Sequence, residues 1–242
     1  MGSRPERPRS IILALEGPSG AGKTTLSRRL AAEMDALLVE EAYDRLKPVP
    51  SLAFAGSRDL LRLERRLLQE ESRRFVEATR EASEGHAVVM DTGPMGPLEY
   101  VAGLVVAGWP VKGVLASLVR DARRWVREGK LGLADLEVYV DVPPAIAFRR
   151  SQRRAPRVEM EFVERHFAVD RVLRPLWRGP WRESLGSRLV WVPGLGSVTE
   201  VTRRVLRSVD PSPQAPRSDD SLSTNFLRTL LSVRPPGASG NR

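Results

Sequence analysis

Residues 10–34 read SIILALEGPSGAGKTTLSRRLAAEM, and this segment is the most informative part of the chain for predicting its fold. It opens with a short apolar run, residues 11–15, of the kind that forms a buried parallel strand. Beyond a cluster of glycines, Leu26, Leu30 and Met34 recur every four residues, which is typical of a helix. The glycines therefore lie between a strand and the start of a helix.

The glycine cluster has the pattern of a phosphate-binding loop. Gly17, Gly22, Lys23 and Thr24 fit G-x-x-x-x-G-K-[ST], in which backbone N–H groups and the positive end of a helix surround an anion. In such a loop the lysine reaches the β- and γ-phosphates, and the Ser/Thr hydroxyl binds Mg²⁺. The alternative is a flexible glycine turn that happens to contain a lysine. We predict that a nucleoside triphosphate is bound by Gly17, Pro18, Ser19, Gly20, Ala21, Gly22, Lys23, Thr24 and Thr25.

Composition bounds the class of protein. The chain has 242 residues, of which 41% are hydrophobic, enough for one sizeable core. It carries a net charge of +9, and all but four of its 39 basic residues are arginine. Such a charge favours anionic ligands. The arginines are spread along the chain without a nucleic-acid motif, so nucleic acid is not the expected partner.

Several classes of site and location are disfavoured. Cysteine is absent, which excludes disulfides and thiol chemistry and fits a reducing compartment. Residues 1–9 lack the apolar segment of an export signal, so a cytoplasmic location is expected. With only two histidines, a histidine-based metal site is not expected. Pro110 and Lys112 interrupt the apolar run 101–119, which therefore predicts two core helices rather than a membrane span.

Strand-like and helix-like segments alternate along the rest of the chain. Further strands are predicted at residues 36–39, 86–90, 136–142 and 189–192. Helices are predicted at residues 57–84, 97–108, 113–129, 158–173 and 198–209. The alternation predicts an α/β protein with a doubly wound parallel sheet and helices on both of its faces.

Carboxylates end two of the predicted strands. Glu40 and Glu41 follow the second strand, and Asp91 follows the third. Open α/β sheets bind ligands at the carboxyl ends of their strands. We predict that Asp91 holds Mg²⁺ together with Thr24, directly or through water. The alternative is that Asp91 caps the next helix or turn.

An arginine-rich segment and two tails complete the pattern. Residues 149–157 read RRSQRRAPR, which is either a solvated charge run or a mobile arm that closes over the transferring phosphoryl group. Residues 10–209 are predicted to form one domain, and residues 1–9 and 210–242 disordered tails. An alternative for part of the second tail is a short amphipathic helix that docks on this protein or on a partner. Its apolar residues are Phe226, Leu227, Leu230 and Leu231.

Four motifs occur in an order that points to a family. They are GPSGAGKTT at 17–25, EEAYDR at 40–45, Asp91 after the third strand, and YVDVPPAIAFRRSQRR at 139–154 followed by EFVERH. Over about residues 10–208 the chain resembles the deoxynucleoside kinase and thymidylate kinase group of P-loop kinases. The resemblance implies a five-stranded sheet of order 2-3-1-4-5, an arginine-bearing lid at about residues 149–157, and ATP-dependent phosphorylation of a nucleoside or nucleotide.

The resemblance also assigns roles to individual residues. It implies ATP and Mg²⁺ as cofactors, with Lys23 and the lid arginines Arg149 and Arg153 supplying positive charge around the transferred phosphate. The general base of the family is the carboxylate that ends the second strand. Glu41 matches it better than Glu40, because Ala42 follows directly and an arginine stands four places on.

Three departures from the family pattern bear on the identity of the phosphate acceptor more than on that of the phosphoryl donor. Thr92 follows Asp91 where the family has an arginine, and Ala155 stands where a further lid arginine is common. The base-reading glutamine of the family maps only loosely onto Gln69.

Two rival functions stay open beside a nucleoside or nucleotide kinase. A P-loop kinase for another small molecule, such as an antibiotic, sugar or cofactor precursor, would use the same donor machinery. A protein that binds ATP without catalysis is the second, suggested by Thr92. A GTPase switch is disfavoured because the chain has no N-K-x-D motif. The expected partners are ATP and a small phosphate acceptor, with no membrane, and the sequence leaves a homodimer open.

Overall fold

The computed structural model describes residues 10–153, 160–209 and 220–235. Its strands are β1 Ile12–Glu16, β2 Leu37–Val39, β3 Val88–Met90, β4 Leu136–Asp141 and β5 Leu189–Pro193. Its α-helices are α1 Lys23–Met34, α2 Ala42–Arg45, α3 Ser57–Ser83, α4 Gly96–Val106, α5 Lys112–Arg127, α6 Pro144–Gln152, α7 Met160–Arg178, α8 Pro180–Leu185, α9 Val198–Ser208 and α10 Asp220–Ser232.

The five strands form one sheet in the order β2-β3-β1-β4-β5, and every neighbouring pair is parallel. This confirms the predicted fold class and strand order. In the central strand, Leu13 lies beside Val89 of β3, and Leu15 lies beside Val138 of β4. Because all the strands run the same way, their carboxyl ends meet at one edge of the sheet, where the phosphate loop begins.

Successive side chains of β1 point to opposite faces of the sheet, and each face is covered by helices. Leu13 and Leu15 pack into a cluster with residues of α1 and α9, whereas Ile12 and Ala14 pack on the other face against Ala78 of α3. A third and larger cluster joins α3, α4, α5, α7, α8 and α10 on the face covered by α3. The apolar core of the protein is therefore divided by the sheet.

The carboxyl-terminal segment differs from the predicted disordered tail. Residues 220–232 form α10, and Phe226, Leu227 and Leu230 on it are completely buried. The Phe226 ring lies 5.7 Å from that of Trp181, measured between centroids. The alternative prediction, a docked amphipathic helix, is the one that fits this segment. The helix packs on the rest of the same chain.

Truncating Phe226 tests this docking. We expect Phe226→Ala to lower the free energy of unfolding by about 3 kcal/mol, since it removes a buried aromatic ring and leaves a cavity. Arg228→Ala, an exposed position on the same helix, serves as the control. Urea unfolding of both variants measures the difference, and equal stability would show that α10 does not pack as described.

Parts of the predicted tails and lid lie outside the described residues, namely 1–9, 154–157, 210–219 and 236–242. The apolar run 101–119 forms α4 and the start of α5, with a turn between them. Across the three described ranges, no helix combines the length and apolarity needed to cross a membrane.

Candidate active site

The phosphate loop joins β1 to α1 and needs its glycines. Gly22 precedes the first helical residue with φ at 94°, a left-handed conformation that favours glycine. Gly17 has φ at 133°, and a Cβ atom there would lie 2.7 Å from the carbonyl oxygen of Val140. The sequence pattern thus reflects both backbone conformation and the close approach of β4.

Two side chains, Lys23 and Asp170, contact the backbone of this loop. Lys23 Nζ donates to the carbonyl oxygens of Gly17 and Pro18 at 2.8 and 3.2 Å. The backbone N–H of Ser19 donates to Asp170 Oδ2 of α7 at 3.1 Å. Burial raises the pKa of Asp170 to about 7, while Lys23 and the Ser19 N–H act to lower it. A carboxylate thus already lies at the mouth of the loop, a contact the sequence did not predict.

Glu41 and Asp91 lie at the same edge of the sheet as the loop. Asp91 is buried, and its Oδ1 has no hydrogen-bond partner within the described residues. The pKa of Glu41 is raised by burial and by Asp91, against the opposing effects of Lys23 and Arg74. Lys23 and Asp91 are therefore close enough to Glu41 to act on its charge, whereas Glu40 is exposed.

Arg74 of α3 holds the carbonyl ends of two strands in place. It is completely buried and forms an ion pair with Glu71. Its Nη2 donates to the carbonyl oxygens of Val39 at the end of β2, at 3.4 Å, and of Asp91 and Thr92 after β3, at 2.7 and 3.2 Å. No pattern in the sequence indicates this role, because Arg74 follows another arginine in a helix rich in charged residues.

Thr92 takes an unusual backbone conformation. Its φ is 70°, in the left-handed region, where a β-branched residue is strained. Its hydroxyl donates to the carbonyl oxygen of Asp91 at 2.5 Å. Thr92 therefore forms a backbone turn at the position where the P-loop kinases that the sequence resembles have an arginine.

Buried glutamates lie behind the loop. Glu16 ends β1, and its Oε1 accepts the N–H of Gly93 at 3.0 Å. Burial, with a contribution from Glu137, raises the pKa of Glu16 well above its ordinary value. Burial also raises the pKa of Glu137 to about 7, and burial together with Glu16 raises that of Glu99. The side of the site that faces α4 is thus rich in carboxyl groups.

Helices α3, α4 and α7 meet beside these carboxyl groups. Glu64 of α3 is buried, and burial raises its pKa to about 8. Tyr100 of α4 stacks on His166 of α7, with ring centroids 4.7 Å apart. Arg165 of α7 lies over the ring of Phe54 at 4.3 Å and donates to the carbonyl oxygen of Leu52 at 3.2 Å. These residues form the junction of α4 and α7 with the segment that precedes α3.

The raised pKa of Glu64 predicts a pH-dependent stability. The folded state holds this proton up to about pH 8, whereas the unfolded chain loses it near pH 4.5, so stability falls as pH rises between these values. Glu64→Gln mimics the protonated form, and we expect it to raise the free energy of unfolding at pH 8.5 by about 2–4 kcal/mol while changing little at pH 4.5. Urea unfolding at both values, with exposed Glu164→Gln as control, measures this, and an equal effect at both would contradict the assignment.

The predicted lid arginines are not brought to the loop in this structure. Arg149 and Arg153 are exposed, and α6 faces the loop with Ala147 and Ser151, which a Cβ on Gly20 would touch. By helical spacing, the described arginine nearest that face is Arg150. The roles of Arg149 and Arg153 stay predictions.

Gln69, the loose match to the family's base-reading residue, is exposed on α3. Its side chain is therefore not placed to read a bound acceptor inside the site.

The loop and Asp91 fit the requirements of Mg²⁺. This ion keeps several waters and binds through one or two carboxylates together with substrate phosphates. The free Oδ1 of Asp91 and the hydroxyl of Thr24, at the first turn of α1, are suitable oxygens. In the described part of the chain, three acidic or histidine ligands converge only at Glu81, Glu84 and His86. That group precedes β3 and lies at the opposite edge of the sheet.

Comparison with known proteins agrees with the fold described above. Residues 12–124 match a family model described as an AAA domain. No curated protein matches the chain significantly. Solved structures of deoxyadenosine kinase from M. mycoides are similar, each covering 82% of this chain and 98% of that one. The form with bound dATP has 13% identity and a TM-score of 0.63. The forms with products dCMP and a flexible dCDP, and with dCTP, have 12% identity and TM-scores of 0.60 and 0.57.

At this level of identity the matches establish the fold, and they confirm at that level the resemblance read from the motifs. The chain has the fold of a P-loop nucleoside kinase.

Proposed function

We propose that the protein is an ATP-dependent kinase that transfers the γ-phosphate to a hydroxyl group of a small, nucleoside-like acceptor. The observation that supports this proposal is that Lys23, Glu41 and Asp91 follow three neighbouring strands at the carboxyl edge of the sheet, and that Lys23 and Asp91 both act on the pKa of Glu41. Phosphoryl transfer asks a protein mainly for positioning and for positive charge around the transferred group. A carboxylate near the acceptor adds the means to accept a proton.

In the proposed mechanism each of these residues has a separate task. The amides of the loop and Lys23 bind the phosphates of the nucleotide. Thr24 and Asp91 would hold Mg²⁺, which would neutralise charge on the phosphate oxygens. Glu41 orients the acceptor hydroxyl and takes its proton, and its raised pKa brings it closer to the operating pH, as a general base requires.

We assign the acceptor to the side where α3, α4 and α7 meet, and the charges there favour an acceptor without a phosphate group. Two of the arginines on this side are already paired: Arg74 with Glu71, and Arg45 with Glu70 and Glu77 at 3.2 and 2.7 Å. Thr92 replaces a further arginine, and Glu41 and Asp91 add negative charge. A monophosphate would meet carboxylates that these arginines do not offset. The nucleoside branch of the proposal is therefore preferred over the nucleotide branch.

The nucleoside part of ATP is assigned to an open cleft beside α1. Thr25, Arg28 and Arg29 line this cleft together with Val198 and Thr199 at the start of α9. Thr25 directly follows the proposed Mg²⁺ ligand, so the cleft continues from the phosphate loop. Arg204 of α9 holds the loop that precedes this helix by donating to the carbonyl oxygens of Pro193 and Leu195 at 2.9 and 2.6 Å.

A kinase for another small alcohol is the second candidate, and one observation favours it. The side from which an acceptor approaches carries buried carboxyl groups, among them Glu64 and Glu99, and Gln69 points elsewhere. Such a surface suits an acceptor that donates hydrogen bonds or carries an amine.

Labelled ATP with Mg²⁺ and a panel of acceptors tests the proposal. The panel contains deoxynucleosides, nucleoside monophosphates, sugars and amino alcohols. We expect labelled phosphate on a deoxynucleoside and none on a monophosphate. Transfer to monophosphates alone would overturn the acceptor assignment, transfer to another alcohol would select the second candidate, and ATP binding without any transfer would leave only a binding protein.

A further inference from the structure

Asp170 occupies a place in the phosphate loop that an anion of the substrate would need. Its Oδ2 accepts the backbone N–H of Ser19 at 3.1 Å. Amides of such a loop are the groups that bind phosphate oxygens. A carboxylate on one of them is therefore chemically a substitute for a phosphate group.

The helix that carries Asp170 is fixed to the protein on the acceptor side as well. Gly103 of α4 lets α7 approach so closely that a Cβ atom there would lie 2.6 Å from Cγ1 of Val169. One turn earlier on α7, Arg165 donates to Leu52 and lies against Phe54. Helix α7 thus connects the phosphate loop to the segment that precedes α3.

We propose that Asp170 competes with a nucleotide phosphate for the Ser19 N–H, and that its carboxylate is a latch which the nucleotide displaces on binding. Displacement frees the Ser19 N–H for a phosphate oxygen. Because α7 packs closely on α4 and contacts Leu52, the helix stays in place and only the Asp170 side chain turns away. The inference rests on the proposed binding of a nucleotide at this loop.

The latch has a measurable effect on affinity. Apparent affinity is reduced by the fraction of molecules that can bind, so a latch closed nine times in ten weakens binding about tenfold. Asp170→Asn keeps the size of the side chain and removes its charge, and Asp170→Ala removes the contact. Glu164→Gln removes one charge from an exposed position of the same helix and is the matched control.

The first experiment is calorimetric titration of the four proteins with MgATP. We expect Asp170→Asn and Asp170→Ala to bind about tenfold more tightly than the parent chain, and Glu164→Gln to bind like it. Unchanged or weaker binding by both Asp170 variants would overturn the latch. It would mean that the carboxylate supports the loop instead of competing with the nucleotide.

The second experiment separates the latch from the proposed function. Without nucleotide, we expect the Ser19 amide to exchange hydrogen faster in Asp170→Ala than in Glu164→Gln, because its acceptor is gone. Equal exchange would contradict the contact itself. Faster exchange combined with no MgATP binding by any of the proteins would retain the contact but refute the nucleotide site, and with it the latch.

Discussion

Replacing Lys23 by alanine is expected to lower phosphoryl-transfer turnover about 100- to 1000-fold, since it removes a positive group aimed at the transferred charge. MgATP binding should weaken in parallel, because the same ammonium group binds the phosphates in the ground state. In the structure Lys23 contacts two carbonyl oxygens of its own loop, and its charge lowers the pKa of the buried groups Glu41 and Asp170. Without Lys23 these carboxyl groups can stay protonated, so no buried charge is left unpaired. The variant should therefore fold.

Lys112→Ala is the matched control for this prediction, because Lys112 is an exposed lysine at the start of α5. Turnover is measured with labelled ATP, and binding by titration. If Lys23→Ala kept full turnover and binding, the loop would be a structural turn and the kinase proposal would fall. A loss of both in Lys112→Ala as well would instead indicate a nonspecific effect of charge.

The centre of the fold was predictable because its signals are local. The apolar run of β1, the glycines and the four-residue repeat of α1 lie within 25 consecutive residues, and each element follows from its own sequence. Asp91 and Glu41 were predictable for a related reason. A carboxylate after a buried strand is placed at the ligand-binding edge by the parallel topology alone.

Arg74 and Asp170 were not predictable, because their contacts connect distant parts of the chain. Asp170 meets Ser19 across 151 residues, and Arg74 meets Asp91 across 17. Each side chain sits in a helix whose sequence is rich in charge, and a buried charged residue there looks the same as a solvated one. Only the packing of α3 and α7 against the sheet gives them a role.

The docking of α10 illustrates a second limit of prediction from the sequence. Its apolar residues predicted an amphipathic helix as an alternative to disorder, but a pattern does not name the surface that covers it. In the structure that surface includes Trp181 and Trp177. The two tryptophans belong to segments about 50 residues earlier, and their convergence follows from the tertiary fold.

Glu41→Gln is expected to lower turnover by about 100- to 10,000-fold while MgATP binding stays near that of the parent chain, because general-base catalysis contributes about this much. Glutamine keeps the shape of the side chain but takes no proton. Glu40→Gln is the control, since Glu40 is the exposed neighbour. A loss of turnover in Glu40→Gln with none in Glu41→Gln would reverse the assignment. Normal turnover in both variants would mean that the acceptor needs no base, as a phosphate acceptor would not.

The pH dependence of turnover gives Glu41 a second, independent test. Catalysis needs the carboxylate form, so turnover falls on the acid side as Glu41 becomes protonated. Because burial raises the pKa of Glu41, this fall should occur above the ordinary glutamate value of about 4.3. The residual turnover of Glu41→Gln should not fall on the acid side, whereas the turnover of Glu40→Gln should fall as in the parent chain. An acid limb that survives in Glu41→Gln would show that another group titrates, and Glu41 would then orient the acceptor without accepting its proton.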